Sequence, residues 1–95
     1  MIKFRILSDA LKDLASAIQY YETESPGLGA DFLSEYEKAI SRIRQFPEAW
    51  SPVNASLRRC LLRRFPYAVF YSKEGNFIVI SAVSDLRRDP ERLPH

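Results

Sequence analysis

Ile2, Phe4 and Ile6 alternate with Lys3 and Arg5, a period of two that predicts a short strand with one buried face over Ile2 to Leu7. Ser8 and Asp9 end it, and either residue type can cap a helix. Leu11, Leu14, Ala15, Ile18 and Tyr21 then fall at spacings of three and four, so residues 9–24 are predicted as a helix with those side chains on one stripe. Ser25-Pro26-Gly27-Leu28-Gly29 reverses the chain, because proline presets one dihedral and glycine accepts positive ones. A second stripe runs through Phe32, Leu33, Tyr36, Ala39, Ile40, Ile43 and Phe46. It turns Asp31, Glu35, Glu37, Lys38, Arg42 and Arg44 outward as a solvated face, and Phe46-Pro47 stops it. Two helices joined by so short a turn form an antiparallel hairpin.

After the loop from Glu48 to Ser56 the period changes to that of extended chain. Leu57 to Phe65, Tyr67 to Lys73 and Phe77 to Val83 are rich in aromatic and β-branched residues, and Glu74-Gly75-Asn76 is a turn. The expected fold class is therefore α+β: an N-terminal strand, an antiparallel helical hairpin and a three-stranded antiparallel meander. Leu11, Leu14, Ile18, Leu33, Ile40 and Ile43 are expected in its core, with Trp50 closing the end of the hairpin and Cys60 a buried, inert thiol. The middle strand sets Tyr67, Val69 and Tyr71 on one side and Ala68 and Phe70 on the other, and the last strand is apolar on both. One hairpin covers one face of a sheet. The other is expected to be an apolar groove for a partner, unless its Tyr and Ser residues tolerate water or the C-terminal segment folds over it.

Composition narrows the classes. Ninety-five residues, 46% of them hydrophobic and 27% charged, make one globular domain over residues 1–95 and set disorder aside. One cysteine and one histidine, His95, exclude an intrachain disulfide and zinc or haem ligand sets, so no cofactor or metal is expected. No apolar run approaches the roughly 20 residues of a membrane span, and a cytoplasmic protein without membrane contact is expected. The net charge of +2 hides an asymmetry: residues 1–50 carry six Lys/Arg against eight Asp/Glu, and residues 51–95 carry eight against four. Six of the ten arginines form the pairs Arg58-Arg59, Arg63-Arg64 and Arg87-Arg88. Arginine's planar fork suits carboxylate or phosphate, so these pairs are candidates for an acidic partner or a polyanion, the alternative being a solvated strand face.

The order of elements, with Arg64-Phe65-Pro66-Tyr67-Ala68-Val69-Phe70-Tyr71 and Ala82-Val83-Ser84-Asp85-Leu86-Arg87-Arg88-Asp89-Pro90, resembles the RelE/ParE toxin family of type II toxin–antitoxin systems. Tyr20-Tyr21-Glu22, Pro26-Gly27-Leu28-Gly29 and Phe46-Pro47-Glu48-Ala49-Trp50 fit the same pattern, and the likeness spans about residues 2–92. The resemblance implies a small cytoplasmic toxin, of the kind called plasmid stabilisation proteins, held in a hetero-oligomer by an antitoxin whose C-terminal segment wraps it. ParE-like members poison DNA gyrase, whereas RelE-like members cut mRNA on the ribosome. A third possibility is a family member that binds its antitoxin without being toxic.

RNA cleavage needs a proton acceptor and a donor beside the phosphate. Here the first and second strands of the meander offer Arg58, Arg59, Arg63, Arg64 and Lys73, and arginine is a poor base. Tyr67 and Tyr71 are expected in the sheet core. Asp85 stands where many ParE-like relatives carry histidine, and Asp85 or Asp89 is expected to pair with Arg87, Arg88 or a strand arginine. The ParE-like reading is therefore preferred, with no catalytic residue. Arg58, Arg59, Arg63, Arg64, Phe70, Arg87 and Arg88 are the candidate contacts to antitoxin or target.

Overall fold

The computed structural model describes residues 2–87. The strand β1 (Lys3–Ile6) leads into the helices α1 (Ser8–Glu24) and α2 (Leu28–Gln45). The strands β2 (Ser51–Pro52), β3 (Arg58–Leu61), β4 (Tyr67–Glu74) and β5 (Phe77–Asp85) follow. They form one mixed sheet in the order β1-β5-β4-β3-β2. The expected meander is β3-β4-β5, and β1 lies parallel to β5 with Lys3 opposite Phe77 and Ile6 opposite Ile80. No helix among the described residues is long and apolar enough to cross a membrane.

The helical hairpin is closed by a device that local propensity does not reveal. Neither Ser8 nor Asp9 caps α1 with its side chain; Leu7 takes the cap position and Asp9 sits in the first turn. Gly27 precedes α2 in the left-handed region at φ 89°, where glycine carries no steric penalty. The Glu22 carboxylate, near the end of α1, accepts hydrogen bonds from the amides of Gly27 (3.0 and 3.1 Å) and Gly29 (3.0 Å). A negative side chain thus satisfies the free donors at the start of α2 and complements its dipole. Gly29 is required by crowding, since a Cβ there would meet the Ile18 carbonyl oxygen at 2.8 Å.

Leu14, Ala17 and Tyr21 of α1 and Phe32, Tyr36, Ala39, Ile40 and Ile43 of α2 pack with Val69, Tyr71, Ile78, Ile80 and Val83 of the sheet in one core. Tyr21, Phe32, Phe65 and Tyr67 make its aromatic end, with ring centroids 4.7–5.9 Å apart. Tyr67 and Tyr71 are core residues, and Trp50 packs against the core while its indole N–H donates to the Arg42 carbonyl.

Leu11 and Leu33 depart from expectation, being 50% and 37% exposed. Each lies on the flank of its helical stripe. Glu35 departs in the opposite sense. It is 5% exposed rather than solvated, because it follows Phe32 by three positions and precedes Ala39 by four, on the stripe's other flank.

The strand expected over Leu57 to Phe65 ends at Leu61, and residues 62–66 make a turn instead. Within it the Tyr67 amide donates to Phe65, and the Leu62 amide donates to Tyr67. Between Phe70 and Tyr71 the pairing with β5 slips by one residue, leaving Ser81 unpaired. The Ser81 hydroxyl donates to the Phe70 carbonyl at 3.2 Å. This bulge keeps Ile80 and Val83 both on the helical face.

Candidate partner-binding site

The register sorts the sheet's second face. Phe70 lies between Arg59 and Ala82, Ala68 between Leu61 and Ser84, and Ser72 opposite Val79. Phe70 and Ala68 are absent from the core that includes Tyr67, Val69 and Tyr71, as alternation requires. They are nonetheless buried, Phe70 to 1% exposure, so the centre of this face is closed and Phe70 presents no surface to a partner. Its rim is open: Leu61 is 52% exposed, and Leu57, Val79 and Ala82 are half-buried. An open concavity of about 660 Å³ adjoins that rim, lined by Leu7, Leu57, Arg58, Ser72, Val79 and Ser81 among others.

The arginines occupy different settings. Arg58 stands opposite Tyr71, on the helical side, and its guanidinium donates to the carbonyls of Trp50 (2.8 Å) and Glu48 (3.1 Å). It ties the loop after α2 to the sheet. Arg59, one residue on, is half-buried on the second face. Arg63 and Arg64 are exposed on the turn after β3 rather than on a strand. Arg64 lies 3.4 Å from Asp31, both of them about half exposed, and covers the ring of Phe65. Such a surface pair contributes about 0–1 kcal/mol.

Arg87 makes the strongest set of contacts. Its backbone amide and Nε donate to Asp85 Oδ1 at 2.9 and 3.0 Å, and Nη2 donates to Asp85 Oδ2 at 3.0 Å. Nη2 also reaches the Tyr21 hydroxyl at 3.4 Å. Hydrogen bonding to Asp85 raises the pKa of this guanidinium further, so it is a fixed cation. Arg88 lies outside the described residues.

Two phenols and one thiol near these cations are held in their protonated forms by burial. Burial raises the phenol of Tyr21, against the opposing charge of Arg87. Burial likewise pushes Tyr71 up to about 12, against Arg58, and Tyr71 donates its hydroxyl proton to the Pro47 carbonyl at 2.6 Å. Cys60, buried, has its thiol pKa raised by desolvation, although Arg42 and Arg63 pull it down.

Three residues that shape this region were not expected to take part in it, Asp31 and Arg42 having been read as part of a solvated helix face. Arg42 donates to the Leu61 carbonyl at 3.0 Å and binds α2 to β3. Asp31 holds Arg64. Asp13, from α1, accepts the Val83 amide at 3.0 Å where β5 has run past its partner β1. All three are ordinary exposed-face positions by helical period, and only the tertiary arrangement gives them partners.

The sequence matches, over residues 4–90, the family described as ParE toxin of type II toxin-antitoxin system, parDE. A comparison with curated proteins finds no match. Among solved structures, one titled "Chromosomal ParDE TA system from P. aeruginosa" superposes with a TM-score of 0.79 at 16% identity. The likeness covers 90% of this chain and 97% of that one, and at that identity it is a likeness of fold.

Proposed function

Because the chain belongs to the ParE toxin family of type II toxin–antitoxin systems, we propose that it is a toxin neutralised by a cognate antitoxin, and that once freed it acts on DNA gyrase. The observation that carries the partner reading is the second face of the sheet. Its apolar rim at Leu57, Leu61, Val79 and Ala82 stays accessible and adjoins a concavity, with Arg59 on the same face and Arg63 and Arg64 on the adjoining turn. An apolar rim edged by arginine suits a segment that brings apolar anchors and carboxylates. The non-nuclease reading is supported by the chemistry of the described site, where arginines are fixed cations and the phenols of Tyr21 and Tyr71 hold their protons. In this reading the toxin works in the cytoplasm and by occupying its target rather than by cleaving a bond.

The test is induced expression in a bacterial host, with and without the small protein encoded beside it. Growth arrest with DNA damage and stalled replication, reversed by that neighbour, is the expected outcome. Rapid arrest of translation with mRNA cut in the ribosomal decoding site, lost in Arg63→Ala or Arg64→Ala, would replace it with the RelE-like reading. Binding to the neighbour without any growth arrest would leave a protein that retains only the antitoxin interaction.

A further inference from the structure

The two edges of the sheet differ in kind. β2 closes one of them with two residues, and one of these is Pro52, which has no amide hydrogen to donate. β1 forms the other and pairs with β5 alone. The Leu7 amide donates to the Ile80 carbonyl of β5, so by alternation the amides of Phe4 and Ile6 face away from β5. Lys3, Phe4 and Arg5 are exposed, and Lys3 and Arg5 share a side of the strand, about 6.5 Å apart along it.

The six phenylalanines of the chain divide by burial. Phe32, Phe65 and Phe70 are inside, whereas Phe4, Phe46 and Phe77 are 40%, 61% and 40% exposed, and these three gather at the β1 edge. Phe4 lies in β1 and Phe77 stands opposite Lys3. Phe46 lies just past Arg44, whose Nε donates to the Ile2 carbonyl at 2.7 Å. Two of the rings have a guanidinium beside them, that of Arg44 at 5.1 Å from the Phe4 centroid and that of Arg5 at 5.7 Å from the Phe77 centroid. Lys3, Arg5 and Arg44 are thus interleaved with three open rings. Among the described residues one acid adjoins them in the sheet, Glu74 opposite Phe77, and the Ser72 hydroxyl donates to it at 3.1 Å.

We propose that the β1 edge binds a single strand of nucleic acid, with phosphates held by Lys3, Arg5, Arg44 and the outward amides and bases stacked on Phe4, Phe46 and Phe77. Rings interleaved with cations hold single strands with little regard to sequence, because every base presents a π-face. A guanidinium beside a ring adds cation–π attraction to the stack, and backbone N–H groups serve phosphate oxygens as side-chain donors do. Other occupants fit less well. A lipid surface needs its apolar side chains on one side, but Phe4 shares the helical face with Ile78 while Phe77 shares the other with Lys3. A second copy paired along β1 would bring Lys3 and Arg5 of both chains together. β5 and β4 separate this edge from β3 and from the turn that carries Arg63 and Arg64, so the site is distinct from the partner-binding face and independent of the gyrase and antitoxin readings.

Fluorescence anisotropy of a labelled oligothymidylate titrated with the full chain tests this. Affinity should fall with salt along a log–log slope of about −2, the value for three cations on a single strand. Lys3→Gln with Arg5→Gln should flatten that slope to about −0.7 and weaken binding at low salt at least tenfold, with the melting temperature of the chain unchanged. Phe77→Leu should weaken binding about fivefold or more without altering the slope, and Phe77→Tyr, which keeps the ring, should bind like the original. Absence of binding at low salt overturns the proposal. So does binding that survives Lys3→Gln with Arg5→Gln and is lost in Arg63→Gln with Arg64→Gln, which would put the strand elsewhere. Polyglutamate that binds as tightly as the oligonucleotide would show a surface that answers charge alone, and overturns it as well. The gyrase and antitoxin readings stand or fall by the expression experiment, whichever of these results is obtained.

Discussion

Glu35 is a carboxylate placed where helical packing wanted an apolar side chain, and replacing it should stabilise the fold. It is 5% exposed, and among the described residues its Oε1 has no hydrogen-bond partner. Its Oε2 lies 3.4 Å from Lys38 Nζ, but the Lys38 side chain is 63% exposed, so that pair contributes about 0–1 kcal/mol. Leaving a buried polar atom unsatisfied costs about 1–3 kcal/mol, more when the group is charged. The balance is unfavourable by about 1–2 kcal/mol. Glu35→Met keeps the unbranched shape and nearly the same helix propensity while removing the buried charge. It should therefore gain about 1–2 kcal/mol, which for a domain of this size raises the melting temperature by roughly 5–15 °C. Thermal and urea unfolding followed by circular dichroism at neutral pH measures both, and Lys38→Ala serves as the control, with a change within about 0.5 kcal/mol. A loss of more than 1 kcal/mol in Glu35→Met would refute the reasoning, because it would mean that Oε1 holds a bond the packed structure depends on.

Three further outcomes are expected. Gly29→Ala should destabilise by about 1–3 kcal/mol in urea unfolding, because its Cβ would press on the Ile18 carbonyl and on Glu22, the residue that caps α2. Burial raises the phenols of Tyr36 and Tyr71 to about 12, so their contribution to stability is whole below the unfolded value near 10 and lost as the pH rises through 12. Alkaline unfolding monitored by tyrosinate absorbance should show ionisation of these two rings only with loss of the fold, and separate early titration of both would contradict their packing. Arg58→Ala should cost about 1.5–3 kcal/mol by freeing the carbonyls of Glu48 and Trp50, whereas Arg64→Ala should change stability by no more than about 1 kcal/mol and show its effect in antitoxin binding instead.

Periodicity made the helical hairpin and the meander legible because each element buries a single stripe or face. Leu14, Ile40, Ile43, Val69 and Ile80 could hardly be placed elsewhere. The failures fall at the margins of those stripes. Leu11 and Leu33 are apolar and half out, and Glu35 is charged and in, because a period of 3.6 sets the angle of a side chain but not where the neighbouring layer stops. Two features had no local signal: the two-residue β2, and the parallel placement of β1 against β5, which depends on contacts seventy-four residues apart such as Lys3 with Phe77.

The arginine pairs show how far such reading extends to a site. Alternation along a strand sends neighbouring side chains to opposite faces, and for Arg58 and Arg59 it does so, giving one a structural partner in the loop and leaving the other on the second face. The rule fails for Arg63 and Arg64, since β3 ends at Leu61 and a turn has no faces to alternate between; both arginines stand exposed. The difference has a physical source in Pro66, which cannot donate to a ladder, and in the Tyr67 amide, which folds back onto Phe65. A residue pattern therefore identifies which cations are available, but the length of the strand that carries them decides which are committed to the fold. For a partner this leaves Arg59, Arg63 and Arg64 as the cations with most to gain. Arg58 and Arg87, already engaged by carbonyls and by Asp85, would have to give up good hydrogen bonds to serve it.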